Sequence, residues 1–365
     1  MTLRVSLTAD VSRLLSANAV VAIGVSGGKD SDACAITVSR YLKEIGHTGP
    51  KVLIHADLGR TEWKDSLPSC ERLAANIGWP LIVCSRKAGD MMDRWLTRWK
   101  NNVARYADLS CVKLILPWST ASMRFCTSEM KTAVICSELR KRFPTQDILN
   151  VTGIRREESH SRAKMPVSAV LKKLQKNNAA GISWNAIIEE RKEQVFVQIA
   201  SAGLQLHEAY ETYDSTRVSC VFCILGSQRD LKASAACADN VPTYIEMVTL
   251  EADSTFSFQS DKWLADVAPH LLSAELRERV QIAKAKAIQR EEIESVIPKH
   301  LLYVKGWPVA MPTEAEAEML AGVRRKISEL IEIRAKCLTG PEVIARYAQL
   351  MAEKSAKILK RGYSK

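Results

Sequence analysis

The sequence predicts an α/β protein with a parallel sheet that is covered by helices on both faces. Short apolar segments recur at residues 20–25, 51–57, 80–85 and 147–154, and helical patterns separate them. Continuous apolar segments of this length, rich in β-branched residues, suit strands that are buried on both faces. Strands that alternate with helices indicate βαβ units with right-handed crossovers, and therefore a doubly wound sheet.

The second half of the chain predicts a helical extension. Long charged helical patterns occupy residues 273–296, 313–338 and 340–365. Pro341 directly follows Gly340, which is typical of a helix start. We therefore predict a sheet-containing domain over residues 1–235 and a helical extension over 236–365. The basic segment 161–178 lacks strand character and is expected to form a loop near the site.

The turn between the first strand and the helix after it predicts a phosphate site. The stretch "AIGVSGGKDSDACAI", residues 22–36, passes from an apolar strand through two glycines into a helical pattern. The unpaired N–H groups at a helix start, together with the positive end of the helix dipole, attract anions. Glycines let the backbone approach an anion closely, and a lysine adds a point charge. The alternative interpretation is that the glycines only cap the end of the strand.

Each residue of this turn has a predicted role in binding a nucleotide. The two serines can donate hydrogen bonds to phosphate oxygens, and a carboxylate can contact Mg²⁺ that is bound to a polyphosphate. Lysine and backbone N–H groups can stabilise negative charge on a phosphate, so Lys29 and Asp30 are the predicted catalytic residues. The predicted nucleotide-binding residues of the turn are Ser26, Gly27, Gly28, Lys29, Asp30 and Ser31.

Two further loops should converge on the same crevice. The segments 56–63 and 152–159 follow predicted strands, and ligands of open α/β sheets bind beyond the carboxyl ends of the strands. Asp57 or Glu62 could meet a ribose or a metal, and Arg155 and Arg156 could meet an anionic group. Taken singly, each of these residues could equally be a solvated loop charge.

Composition predicts an anionic partner. The formal net charge is +11 and the pI is about 9.1, which suits a nucleotide or a nucleic-acid backbone. Residues 85–106 interleave six cations with Trp95, Trp99 and Tyr106, the mixture that phosphate contacts and base stacking require. The alternative is an amphipathic helix with its aromatic rings in the core. We predict a nucleic-acid surface made by residues 85–106, 155–176 and part of the C-terminal helices.

The cysteines predict thiol or metal chemistry rather than a disulfide framework. The chain has ten cysteines, and neither a signal peptide nor a membrane-spanning segment is predicted, so the cytoplasm is the expected compartment. Cys220 and Cys223 are spaced so that one turn can present both sulfurs to a metal or cluster. A redox pair or two buried thiols are the alternatives. Five other cysteines lie in apolar patterns typical of the core: Cys34, Cys70, Cys84, Cys111 and Cys136.

Four ordered motifs carry a family resemblance over roughly residues 20–235. They are "SGGKDS" at 26–31, "RFCTSEMK" at 124–131, "TGIRREES" at 152–159, and the segment 195–223, which passes through His-x-x-Tyr into Cys-x-x-Cys. In this combination the chain resembles the PP-loop ATP pyrophosphatase superfamily, specifically its phosphoadenylylsulfate (PAPS) reductase-like branch. The resemblance implies an adenine nucleotide alpha hydrolase-like fold and hydrolysis of ATP, with Mg²⁺, between the α and β phosphates. It also assigns Gly153, Arg155 and Arg156 to the nucleotide site.

The same resemblance implies a metal set. It groups Cys126 with Cys220 and Cys223 around a [4Fe-4S] cluster, while Thr127 stands where the family's tandem motif has its second cysteine. Either Cys237 is the fourth ligand, or one iron of the cluster has no protein ligand. Zinc or uncoordinated thiols are the alternatives to a cluster.

One departure from the family pattern bears on the reaction. The reductases attack sulfur with a cysteine in a Glu-Cys-Gly setting near the chain end, whereas Cys337, the last cysteine here, lies in "AKCLTGPE". The sequence therefore favours the sulfurtransferase branch, which thiolates tRNA or makes DNA phosphorothioates with a cysteine desulfurase-like protein as sulfur source. The alternatives are a PAPS or adenylylsulfate reductase, and a nucleotide-binding subunit that recruits partners through its C-terminal helices.

Overall fold

A computed structural model of the protein describes residues 4–176 and 178–362. Asn177, inside the predicted loop, and residues 363–365, at the end of the predicted last helix, lie outside the described residues. The six strands form one sheet in the order β3-β2-β1-β4-β6-β5. Their bounds are β1 (Val20–Val25), β2 (Lys51–Asp57), β3 (Leu81–Ser85), β4 (Ile148–Thr152), β5 (Ser168–Val170) and β6 (Gly181–Trp184).

The first strand lies at the centre of the sheet and packs on both sides. Val21 and Ile23 belong to one hydrophobic cluster, together with helix residues such as Ala33. Val20 and Ala22 belong to a second cluster on the opposite face. Side chains alternate across a strand, so a continuous apolar segment fills two cores at once. This explains why β1 carries no polar residue.

The helices cover the sheet and form a second unit. Those up to residue 211 are α1 (Ala9–Ser16), α2 (Lys29–Glu44), α3 (Ser66–Ile77), α4 (Met91–Ala107), α5 (Phe125–Thr127), α6 (Ala133–Arg142), α7 (His160–Ala163), α8 (Lys192–Ser201) and α9 (Glu208–Glu211). They are followed by α10 (Gln228–Ala236), α11 (Val241–Ser254), α12 (Ala274–Ser295), α13 (Glu314–Ile331) and α14 (Gly340–Gly362).

The predicted α/β class and the four predicted strands are confirmed, and one local prediction is wrong. The segment 161–178 was expected to be a loop without strand character, but β5 lies inside it and pairs antiparallel with β6. Strand β6 itself was not predicted. These strands have three and four residues, so neither is long enough to show a period in the sequence. Their pairing with the sheet, rather than their own pattern, makes them strands.

By its contacts the chain divides into two compact units that interleave along the sequence. Unit 1 contains residues 1–92 and 119–244 and holds the sheet, whereas unit 2 contains residues 93–118 and 245–365. Our predicted boundary was a single cut after residue 235, so the two divisions differ mainly in residues 93–118. Whether either division corresponds to independently folding domains stays a prediction.

Unit 2 has its own core and a buried arginine at its centre. Tyr106, at the end of α4, and Leu320, on α13, are fully buried in that core. The guanidinium of Arg324 is fully buried and donates to the backbone carbonyls of Tyr106, Ala107 and Lys336. Arg324 thereby satisfies carbonyl groups that the end of α4 leaves without helical partners. None of the described helices is long and apolar enough to cross a membrane.

Candidate functional site

The register of the sheet brings three predicted loops to one edge. Val25, the last residue of β1, is paired with His55 of β2, and Gly24 is paired with Thr152, the last residue of β4. The strands run parallel, so the segments that follow β1, β2 and β4 leave the sheet side by side. The order of the sheet reverses around β1, which is where open α/β sheets bind ligands.

The loop after β1 has the backbone of an anion site. Gly27 has a φ of +71°, and Gly28 is the N-cap of α2. The Ser31 hydroxyl donates to the Gly28 carbonyl at 2.7 Å and holds the turn closed. Within residues 4–176 and 178–362, the backbone N–H groups of Gly27 and Gly28 have no hydrogen-bond partner. Two adjacent free donors at the start of a sixteen-residue helix can bind a phosphate group.

The two predicted catalytic residues are part of a charged network. The Asp30 carboxylate lies between two cations, with one oxygen 2.6 Å from Nε of Arg155 and the other 3.4 Å from Nζ of Lys29. The Lys29 ammonium also donates to the Thr216 carbonyl at 3.2 Å, and Arg155 pairs in addition with Glu157. Lys29, which directly follows Gly28, and Arg155, which pairs with Asp30, are both buried.

These contacts also bear on the predicted Mg²⁺ contact. One oxygen of Asp30 accepts from Nε of Arg155, and the other lies 3.4 Å from the Lys29 ammonium, so an ion at this carboxylate would share it with two cations. The repulsion from these cations disfavours a Mg²⁺ ion at Asp30, and that role stays a prediction. Without the ion, the network holds two cations, Lys29 and Arg155, and two carboxylates, Asp30 and Glu157, next to the loop.

Gly153 has a structural role that differs from the predicted one. A Cβ at this position would lie 2.6 Å from the carbonyl carbon of Asp30 and 2.9 Å from the backbone nitrogen of Ser31. The loop after β4 therefore crosses the first turn of α2 with no room for a side chain. This close approach is what brings Arg155 to Asp30.

Two other predicted nucleotide-binding residues are engaged elsewhere in unit 1. The Asp57 carboxylate accepts the Gly59 N–H at 2.7 Å and caps the turn after β2. The Arg156 guanidinium pairs with Glu189 at 2.8 Å and donates to the carbonyl oxygens of Ala163 and Met165. Arg156 thus fastens the segment after β4. A direct role of either residue in nucleotide binding stays a prediction.

The His-x-x-Tyr segment clamps the loop. The Tyr210 hydroxyl accepts the backbone N–H groups of Lys29, at 3.3 Å, and Val218, at 3.1 Å. The Lys29 ammonium lies 5.2 Å from the centroid of the Tyr210 ring. His207 is fully buried, and its ring is so close to Gly27 that a Cβ on that glycine would lie 3.0 Å from the imidazole. One short segment therefore contacts both ends of the loop.

A cavity of about 300 Å³ lies next to this clamp. Phe196, Tyr210 and Thr216 line it, and the same three residues surround the Lys29 ammonium. Lys192 and Arg229 stand at the cavity with two acidic residues, Glu211 and Asp214. The lining of the cavity therefore combines two aromatic rings with side chains of both charges.

A buried ion pair supports the loop from the β2 side. His55 is fully buried, with Nδ1 3.0 Å from the Val25 carbonyl oxygen and Nε2 3.0 Å from a carboxylate oxygen of Glu62. Both nitrogens face acceptors, so both carry a hydrogen and the ring is positively charged. Burial lowers the pKa of His55, but hydrogen bonds with Cys70 and Glu62 and the charge of Glu62 outweigh it and raise the pKa to about 10.

Two of the three predicted metal ligands, Cys126 and Cys223, affect the pKa of the third, Cys220. Loss of hydration raises the pKa of the Cys220 thiol to about 12; Lys131 lowers it, and the thiols of Cys223 and Cys126 raise it further. Cys126 and Lys131 lie on one continuous helical segment, in which α5 is followed by a π-helix over Ser128–Thr132 and then by α6. The segment of Cys220 is held by the bond from the Val221 N–H to the Thr61 carbonyl, 2.8 Å long.

The positions of these thiols do not form a metal site in this structure. Among the described residues, no group of three or more His, Cys, Asp or Glu side chains is arranged to hold a metal ion. Three cysteines suit an iron–sulfur cluster chemically, but the geometry does not fit one without rearrangement. Cys237, the candidate fourth ligand, is buried, and its thiol hydrogen-bonds with Tyr213. The cluster and its ligand set stay predictions.

The aromatic residues of segment 85–106 do not form a stacking surface. Trp95 is buried and packs edge-to-face against Trp118 at 5.3 Å, and Tyr106 is fully buried. Trp99 packs against Phe256 at 6.1 Å. The alternative interpretation, an amphipathic helix with its rings in a core, is the one the structure shows. Base stacking by Trp95 or Tyr106 is excluded because neither ring is exposed.

Comparison with known families identifies the sheet-containing part of the chain. The family profile of the phosphoadenosine phosphosulfate reductase domain matches residues 20–225, more than half of the chain. The chain belongs to the phosphoadenosine phosphosulfate reductase family. The matched residues contain the loop, both charged loop segments and the three predicted cysteine ligands, so the resemblance based on four motifs is confirmed.

Solved structures show weaker likeness. PAPS reductase from Candida auris, in a phosphate complex, aligns with a TM-score of 0.35 and 14% identity over 55% of this chain and 80% of its own. The U34-tRNA thiolase NcsA from Methanococcus maripaludis, solved with its [4Fe-4S] cluster, aligns with a TM-score of 0.30 and 16% identity over 65% of this chain and 70% of its own. No curated protein matches the chain.

Sequence reasoning missed two supporting residues and the role of a third. Tyr210 was noted only as part of a motif, although its hydroxyl holds Lys29. His55 was read as part of an apolar strand, and nothing in the strand pattern shows that it would meet Glu62. Thr216 contributes only a backbone carbonyl to Lys29, which no residue type predicts.

Proposed function

We propose that this protein is an ATP pyrophosphatase that activates an oxygen by adenylation and supports sulfur transfer to a nucleic acid. The observation that carries the proposal is the pair of free N–H groups of Gly27 and Gly28 beside the buried cations Lys29 and Arg155. Preorganised donors and fixed positive charge stabilise the negative charge that develops on a phosphoryl leaving group.

The reaction needs little from the protein beyond this charge. The acceptor oxygen forms a bond to the α-phosphorus of ATP as the bond from that phosphorus to the bridging β-oxygen breaks, and pyrophosphate leaves with the electron pair. The N–H groups of Gly27 and Gly28 would bind its oxygens. Lys29 would turn from the Thr216 carbonyl toward the phosphates, a short movement for a four-carbon side chain. Mg²⁺, when bound, neutralises charge on the polyphosphate.

The preference for sulfur transfer over reduction rests on the chain's last cysteine. Cys337 lies in unit 2, its thiol pKa is raised by burial, and its carbonyl accepts from the buried Arg324. A raised pKa and a structural setting do not suit a cysteine that attacks sulfur as a thiolate. The family itself favours a second candidate, a sulfonucleotide reductase.

The products of ATP turnover test the proposal. We expect AMP and pyrophosphate, and we expect Lys29→Ala and Asp30→Ala each to lose most of the activity while their circular dichroism spectra stay unchanged. Lys64→Ala is the matched control, because this lysine is exposed and forms an ion pair with Asp239, which is also exposed. Release of ADP and orthophosphate would contradict the proposal, as would reduction of PAPS or adenylylsulfate by reduced thioredoxin. ATP binding without turnover would favour a recruiting subunit.

A separate measurement tests the cluster. Anaerobic purification should give brown protein with iron and sulfide, and Cys126→Ser should lower the iron content. Cys136→Ser is the control, since Cys136 is a buried core residue of α6. Colourless protein with zinc, or with no metal, would remove the support for sulfur delivery through a cluster.

A further inference from the structure

We propose that a basic face of unit 1, formed by Lys141, Lys172, Lys173 and Lys176, binds the phosphate backbone of a nucleic acid. The inference rests on the proposed function, because it says where the nucleic-acid acceptor docks. Its starting point is an unusual stretch of sequence. Residues 159–188 contain four lysines and one arginine but neither Asp nor Glu.

The fold gathers part of this stretch against the end of α6. The turn Lys172–Leu174 buries Leu174 in the same cluster as Leu139 of α6. Arg140, in the last turn of α6, donates to the carbonyl oxygens of Leu174 and Ala180. The Arg140 guanidinium is occupied by these hydrogen bonds to backbone carbonyl groups, so we do not include it in the anion-binding face. Its neighbour Lys141 stands at the same helix end and is exposed.

The four ammonium groups are available to a ligand. All four lysines are exposed, and none has a carboxylate within 4.0 Å among residues 4–176 and 178–362. The acids of the surrounding elements are already engaged: Glu138 pairs with Arg142 at 2.6 Å, and Asp147 accepts the Ala180 N–H at 2.6 Å. The positive charge of the face is therefore not neutralised by the protein itself.

One contact joins this face to the segment of the predicted thiol ligands. The Lys173 ammonium donates to the Ser128 carbonyl at 3.4 Å. Ser128 lies two residues after Cys126 and three before Lys131, the cation that acts on Cys220. A phosphate backbone on the basic face would thus run beside the segment that carries Cys126.

The shape of the face favours a polymer over a small anion. A single exposed ion pair contributes little to binding, because water screens the charges and the side chains lose freedom. A nucleic acid makes several such contacts at once and releases its condensed counterions. Four exposed lysines without a carboxylate partner among the described residues match that mode of binding.

The test is the salt dependence of binding to fluorescein-labelled single-stranded RNA and DNA of about 30 nucleotides, measured by anisotropy with the full chain. Each single-strand phosphate contact contributes about 0.7 to the slope of log K against log salt, so Lys172→Ala/Lys176→Ala should lower the slope by about 1.4 and the low-salt affinity by about tenfold. The control Lys43→Ala/Lys232→Ala removes the same charge from exposed positions outside this face and should leave the slope unchanged.

Two outcomes would overturn the inference: equal slopes for both double variants, or no binding of wild-type protein to either strand at low salt. Pyrophosphate release from ATP is measured on the same samples and should be unchanged in Lys172→Ala/Lys176→Ala, because these lysines are not part of the loop network. Absent pyrophosphate release with intact salt-dependent binding would overturn the proposed function and leave the basic face standing. Pyrophosphate release from ATP with equal salt slopes for both double variants would overturn the basic face and leave the proposed function standing.

Discussion

The Tyr210 hydroxyl oxygen accepts the backbone N–H of Lys29 at 3.3 Å, although 181 residues separate the two along the chain. The same oxygen accepts the Val218 N–H at 3.1 Å, and Val218 lies two residues before Cys220. A single phenol therefore ties the predicted phosphate loop to the segment of the Cys-x-x-Cys pair. Burial raises the pKa of Tyr210, so the group stays a neutral phenol at physiological pH.

Replacing this phenol should loosen both segments. In Tyr210→Phe the ring still fills its place, but two N–H donors lose their acceptor, and an unsatisfied buried donor costs about 1–3 kcal/mol. We expect a lower free energy of unfolding in urea by roughly that amount, a raised KM for ATP, and faster alkylation of Cys220. The KM for ATP reports on the loop that contains Lys29, and the alkylation rate reports on the segment that contains Cys220.

Tyr213→Phe is the matched control for that substitution. Its hydroxyl hydrogen-bonds with Cys237 and has no contact with Lys29. The variant should keep the KM for ATP of the wild type. If Tyr213→Phe and Tyr210→Phe changed KM equally, the link between Tyr210 and the loop would be without functional effect.

Gly153→Ala should damage the crossing of the β4 loop over α2. The new Cβ would lie 2.6 Å from the Asp30 carbonyl carbon, so the backbone must shift, and overpacking of this kind costs about 1–3 kcal/mol or more. We expect lower stability in urea together with loss of ATP turnover, because Arg155 would move away from Asp30. Gly24→Ala is the control: its Cβ would meet the Val151 carbonyl oxygen at 3.6 Å, an ordinary contact.

The charged His55 predicts a stability that falls in alkaline solution. Its pKa is about 10 in the folded protein against an ordinary value of 6.5, so the folded state keeps a proton that the unfolded state releases. The stabilisation is complete below pH 6.5 and is lost as the pH rises through about 10. Between pH 7 and 9 the free energy of unfolding should fall by up to about 1.4 kcal/mol per pH unit.

Removing the partner carboxylate should flatten this dependence. In Glu62→Gln the charge that holds the proton on His55 is absent, so the slope between pH 7 and 9 should shrink, and the loss of stability should be larger at pH 7 than at pH 9. Glu71→Gln is the control, since Glu71 is exposed on α3. A wild-type slope near zero over this range, or an unchanged slope in Glu62→Gln, would show that His55 is neutral.

In unit 2, Arg324→Met should be strongly destabilising. The guanidinium is fully buried and serves carbonyl groups of Tyr106, Ala107, Lys336 and Cys337. The variant loses the hydrogen bonds to four carbonyl groups, of which those of Tyr106 and Ala107 keep a backbone donor, so we expect a loss of about 3 kcal/mol in urea unfolding. The adjacent Arg325 is 45% exposed and pairs with Glu318, and Arg325→Met should cost less than about 1 kcal/mol. Equal losses would contradict a central role for Arg324.

Much of the fold was predictable from local pattern. Strands β1 to β4 are apolar and β-branched, and their limits agree with the predicted segments to within a few residues. Glycines 27 and 28 predicted the turn between β1 and α2 because that geometry depends on neighbouring residues alone. The helices α12, α13 and α14 were predicted for the same reason, since helix periodicity and capping are local signals.

The sequence by itself therefore determined the α/β class, the position of the glycine turn between β1 and α2, and the family. The tertiary structure alone decided which groups surround that turn: Tyr210 and Thr216 on Lys29, Arg155 on Asp30, and Glu62 on His55. It also turned Trp95 into a core residue and made a strand of residues 168–170. The physical reason is that these contacts join residues far apart in the chain, where burial and pairing depend on the partner and leave no periodic signal in either segment.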